Sequence, residues 1–140
     1  MATFNKFNAF VADVANGVHN LDTDTLRVIL TNTLPTASNS VLADITQIAA
    51  GNGYSTNGQA LTVTSSSQTG GVYRLIISPD VTFTGSGGTM ATFRYVVFYN
   101  STPGGGPLIG WYDYGAAVSL NNGEPFDIDM NQVNGLLTLA

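Results

Sequence analysis

Between Thr92 and Tyr114 the chain reads TFRYVVFYN, STPGGGP and LIGWYDY, and this stretch holds seven of the fourteen aromatic residues. A β-branched and aromatic run, a Pro/Gly loop and a second aromatic run predict two antiparallel strands joined by a connection longer than a tight turn. Strict alternation puts Phe93, Tyr95, Val97 and Tyr99 on one face of the first strand and Arg94, Val96 and Phe98 on the other. Both faces are apolar, so the strand is expected to be central and covered on each side, by its own subunit or by a neighbour.

The remaining segments supply a second layer. Phe4, Phe7, Val11, Val14 and Val18 recur at helical spacing and predict a helix over residues 3–18, with Thr3 placed to cap its start and Gly17 its end. This helix either covers its own sheet or latches onto a neighbouring subunit. TLRVILT (25–31), ALTVT (60–64), VYRLIIS (72–78), VTFTG (81–85), AAVSL (116–120), FDIDM (126–130) and the closing LLTLA read as further strands, with a polar turn at SSSQTGG. Residues 32–59 form a long irregular segment of a kind that often serves binding. The expected fold is a mainly β domain over residues 1–140: an antiparallel β-sandwich or small barrel, the jelly roll being one such arrangement, with one N-terminal helix.

Charge decides which partners are plausible. Only 9% of the 140 residues are charged, against about 25% in an average domain. Thr, Asn and Ser, with 17, 13 and 10 copies, take their place. Such a surface costs less to desolvate than one of Lys and Glu and suits a subunit packed against others. A neutral exterior on a thermostable or secreted β-protein is the plainer alternative. The net charge is −5, and the four basic residues Lys6, Arg27, Arg74 and Arg94 are scattered, which argues against nucleic-acid binding. There is no cysteine, hence no disulfide or thiol chemistry. Neither a signal-peptide pattern nor a membrane-spanning run is read in the sequence, so synthesis in the cytoplasm is expected.

Candidates for chemistry are few. His19, near Asp22 and Asp24, is the only histidine; it reads as a residue at a helix C-terminus rather than half of a metal or acid–base site. Asp127 and Asp129 share a strand face with Glu124 nearby, which suits a solvated face better than calcium or a glycosidase-type pair. GSGG and PGGGP lack the Lys and Ser/Thr of a phosphate loop. Asn100-Ser101-Thr102 fits a glycosylation acceptor, which has little meaning without a secretory signal. No catalytic, cofactor or metal residues are assigned, and no enzyme is expected. The candidate partner-binding residues are Tyr95, Tyr99, Trp111, Tyr112 and Tyr114, with Phe4 and Phe7 from the helix, because aromatic side chains dominate protein contacts and also stack on sugars. Alternation places Trp111 and Tyr112 on opposite faces.

The segments PTASNSVLADITQIAAGNGY (35–54), FRYVVFYN (93–100), PLIGWYDYG (107–115) and GLLTLA, with the opening KFNAFVADVANGVHNL, resemble small structural proteins of tailed bacteriophages over nearly the whole chain. The resemblance implies a virion protein and, among those, a capsid decoration or cement protein. Such a protein would sit on the capsid exterior as a dimer or trimer and clamp neighbouring copies of the major capsid protein. Two other readings stay open: a tail or neck protein, and a carbohydrate-binding module that attaches virions to host glycans through Trp111 and Tyr112.

Overall fold

Strand β7 (Phe93–Asn100) lies at the middle of the larger of the sheets, as its apolar faces require. The computed structural model describes residues 3–140. In chain order it contains β1 (Asn5–Lys6), α1 (Asn8–Ala15), β2 (Leu26–Thr31), β3 (Gln59–Ala60), β4 (Val63–Thr69), β5 (Val72–Ile77), β6 (Val81–Thr84), β7, β8 (Leu108–Val118), β9 (Pro125–Ile128) and β10 (Leu137–Leu139). A five-stranded sheet runs β1-β8-β7-β2-β3, a three-stranded sheet β10-β5-β4, and β6 pairs with β9; every pairing is antiparallel. The architecture is that of a β-sandwich, and the sheets do not close into a barrel.

The main core lies between the large sheet and the other two. Leu26, Val28, Leu30, Val96, Phe98 and Ile109 meet Leu75, Ile77, Val81, Phe83, Ile128 and Leu137 there. A second apolar cluster covers the opposite face of the large sheet: Phe7, Ile29, Ile45, Val97, Tyr99 and Leu108, with Leu42 and Trp111 packed against it. The chain therefore covers both faces of β7 by itself.

The helix is shorter than its periodicity predicts. Asn5 and Lys6 pair with Trp111 and Gly110 on the edge of β8, so the chain just before Phe7 runs as a strand at these two residues. Thr3 does not cap; Phe7 stands at the N-cap position without a side-chain hydrogen bond. Phe4 and Phe7 are both inward-facing, but through a strand and a turn rather than through one helical stripe. On the helix itself Phe10 is buried and Val11, expected inside, is 55% exposed. Gly17 does close the helix, with φ +73°. Its N–H bonds to the Val14 carbonyl and that of Val18 to Asp13, the paired bonds of a left-handed C-terminal cap.

Other assignments differ as well. ALTVT (60–64) is not one strand: β3 ends at Ala60 and β4 begins at Val63. SSSQ is not a turn: β4 runs through it to Thr69, paired with β5, and the chain reverses at Gly70–Gly71. AAV is not a separate strand but the far end of β8 beyond a register break. The segment 32–59 is a cover rather than a loose loop. Ile48 N–H bonds to the Leu30 carbonyl, and Arg27 donates to the carbonyls of Asn57 and Gly58. Tyr54 is buried with its phenol pushed up to about 12, chiefly by desolvation, and donates to Gln47 Oε1 at 2.6 Å.

Gly110 makes the β1 contact possible. A Cβ there would collide with the Phe4 ring and lie 2.6 Å from the Asn5 carbonyl oxygen. Gly110→Ala is therefore expected to displace β1 and Phe4 from the edge of β8 at a cost of about 2 kcal/mol, the value of burying one aromatic side chain. Chemical denaturation measures the loss. A red shift of Trp111 emission, as the Phe7 ring 4.6 Å away moves, locates it; an unchanged midpoint and spectrum would refute the assignment.

Candidate functional site

A register break in β8 creates the most built surface feature of the molecule. Tyr95 pairs with Asp113 but Phe93 pairs with Val118, so residues 114–117 leave the ladder, turning at Gly115 with φ +93°. The break is pinned from below. Arg94 grips Asp113 with two hydrogen bonds of 2.8 and 3.1 Å, and Asp113 Oδ1 accepts the Gly115 N–H at 2.7 Å. The arginine holds the Asp113 carboxyl below its usual range, and the carboxylate raises the arginine in turn. The break also moves Phe93 onto the face of Val96 and Phe98, in the main core, opposite to strict alternation.

The excursion leaves Tyr114 standing out of the sheet, 56% exposed. Its ring meets Phe126 of β9 edge-on at 5.1 Å, and Phe126 meets Phe93 edge-on at 4.9 Å. Between Tyr112 and Tyr114 on one side and residues 126–129 on the other lies a groove of about 330 Å3, floored by Val96 and Ile128. Tyr112 is half-buried, edge-on to Phe4 and Phe98 at 5.5 and 5.6 Å. Desolvation, and secondarily the charge of Asp129, raise its phenol above the ordinary value.

Asp127 and Asp129 line the same groove, both exposed. Asp127 accepts a hydrogen bond from Thr82 Oγ1, and Asp129 accepts the Asn131 N–H at 2.8 Å. Among the described residues the ion pair is Arg94–Asp113, and His19 Nε2 lies 4.0 Å from Asp13 Oδ2, so neither groove carboxylate has a basic partner. Glu124 turns away to the Asn121 N–H, and no group of three His, Cys, Asp or Glu among the described residues is placed to hold a metal ion.

The structure brings together Tyr112 and Tyr114 from the sequence-based set and separates the others. Trp111 lies on the opposite face, against Phe7, so it and Tyr112 form no common stacking platform. Tyr95, Tyr99 and Phe7 are buried. Tyr99 donates to the Asn57 carbonyl at 3.2 Å, and the Arg94 guanidinium lies 5.5 Å from the Tyr95 ring centre. Phe4 is half-buried against Phe98 and Tyr112. Phe126, a groove wall, lies in the expected FDIDM strand but is not among the sequence-based candidates. The β6–β9 pairing that carries it beside Tyr114 leaves no local signal.

A second polar cluster lies inside. His19 is buried against Phe10, not placed at the helix end as its sequence position suggests. The Asn100 side-chain amide sends one N–H to His19 Nδ1 at 3.1 Å and the other to Asp24 Oδ2 at 2.7 Å. Asn100 is 0% exposed, so the Asn100-Ser101-Thr102 acceptor pattern is sealed in the fold. With the His19 side chain closed to solvent, this cluster joins the residues before β2 to the end of β7 and offers no opening to a substrate. In comparisons with known proteins, the chain matches no protein-family model, no curated protein and no solved structure.

Proposed function

We propose that this chain is a non-enzymatic structural protein of a tailed-phage virion, and within that class a capsid decoration protein that clamps neighbouring capsid subunits. The observation that carries the reading is how its few charged groups are used. Arg94, Asp113, Arg27 and Asp44 hold turns and loops, while β4 presents VTSSSQT along the edge of a sheet. A rigid sandwich with neutral, easily desolvated edges and an aromatic groove is built to adhere over repeated surfaces. Multiple weak contacts of this sort gain strength from repetition on a lattice. The resemblance of residues 35–54, 93–100 and 107–115 to small phage virion proteins supports the setting.

The test is made on particles. Those assembled without the protein are expected to break at lower temperature and under milder osmotic shock, and adding it back restores resistance. Equal resistance with and without it would overturn the reading. A second reading, attachment to host glycans, is favoured only by the Tyr112–Tyr114 groove, whose rings suit stacking on a sugar.

A further inference from the structure

We propose that the groove between β8 and β9 receives a basic side chain, a guanidinium or ammonium group, presented by the protein on which this subunit docks. This deepens the virion reading and rests on it for the partner's identity, but the chemistry of the groove stands by itself. Asp127 and Asp129 line it without a basic partner among the described residues. The chain's net charge is −5, so the field around the groove draws cations toward it. Tyr112, Tyr114 and Phe126 supply aromatic rings at the same place, and rings beside carboxylates bind a cation from two sides, by charge and by the ring quadrupole.

A neutral occupant fits less well. Displacing water from two carboxylates without supplying a positive charge leaves both uncompensated, which is costly. An arginine or lysine head cancels that charge while its alkyl stem lies along Val96 and Ile128 on the floor. The volume, about 330 Å3, is at the small end of binding cavities and accepts one long side chain rather than a folded element. Arginine, planar and weakly hydrated, is the better match to rings and carboxylates together.

N-acetyl-arginine amide and its uncharged isostere N-acetyl-citrulline amide distinguish the cases, followed by NMR of the tyrosine and Phe126 ring signals in the intact protein. The arginine probe is expected to shift Tyr112, Tyr114 and Phe126 saturably, and citrulline is not. Asp129→Asn should weaken binding by about tenfold, and raising ionic strength from about 0.05 M to about 0.5 M should weaken it further. Asp127 also holds Thr82, so Tyr114→Ala, at an exposed ring, serves as the second variant and should likewise reduce binding. Equal shifts with citrulline, no shift with arginine, or shifts produced only by a neutral oligosaccharide would overturn the proposal. Particles that still need the protein for heat resistance would then show that the groove assignment, and not the virion reading, had failed.

Discussion

Phe98→Ala is expected to lower the stability of the folded chain by about 3–5 kcal/mol, the range for emptying a fully buried aromatic site. Phe98 is 0% exposed at the middle of β7. Its ring lies 6.1 Å from Phe4 and 5.6 Å from Tyr112, so one side chain ties β1, β7 and β8 together. The opposite residue on β8 is Gly110, which has no side chain to close the gap. The space left would therefore stay largely open, and the cost should fall toward the top of the range. For a domain whose total stability is about 5–15 kcal/mol, that is a large share. Urea unfolding should show a lower midpoint with an unchanged slope. Tyr112 would lose one of its two edge-on supports, so the groove wall should loosen along with the core. A loss under about 1 kcal/mol would mean that the core repacks freely and that the aromatic tie is not structural.

The parts of the fold that were legible in the sequence are the strands carried by unbroken β-branched and aromatic runs. β2, β5, β6 and β7 fall where such runs place them; β9 ends at Ile128, short of the expected Met130, yet Asp127 and Asp129 are both exposed as alternation requires. The segments that misled did so for identifiable reasons. Phe4 and Phe7 are three apart, a helical spacing, yet the edge of β8 captures Asn5 and Lys6 as a strand, so a tertiary pairing overrides the local period. β4 carries almost no apolar signal because it is an edge strand; Ser66 meets the Tyr73 hydroxyl at 2.8 Å instead of entering a core. Phe93 changes face because of the break opposite it, which only the register of the partner strand reveals. Half of the groove was visible, since Tyr112 and Tyr114 stand in the aromatic run. The other half depends on β9 pairing with β6 across 40 residues and more of chain, and nothing local to Phe126 announces its neighbours.

Asn100→Ala is expected to cost about 2–4 kcal/mol near neutral pH, the sum of leaving buried polar groups without partners. The amide it removes serves His19 Nδ1 and Asp24 Oδ2, and its oxygen accepts the Thr102 N–H at 3.1 Å. The same geometry fixes the histidine. Nδ1 faces an N–H donor, so it must be the bare nitrogen, and Nε2 carries the proton. Nε2 has no hydrogen-bond partner and looks toward Asp13 Oδ2 at 4.0 Å. Protonation would set an Nδ1–H against the Asn100 N–H and place a charge in a buried site. Desolvation accordingly lowers the His19 pKa below its ordinary 6.5, outweighing the opposite pull of Asp13 and Asp24. Because the folded chain then holds fewer protons than the unfolded one, stability rises with pH. The His19 contribution is fully present above pH 6.5 and declines as pH falls through 6.5 toward the lowered folded value. The melting temperature should therefore drop on acidification through this window, and His19→Gln, which cannot charge, should flatten that slope. Removing the Asn100 donor while keeping the histidine frees Nδ1 to protonate without conflict, so Asn100→Ala should be less stable at neutral pH yet less sensitive to acid. Parallel pH profiles in wild type and His19→Gln would refute the account.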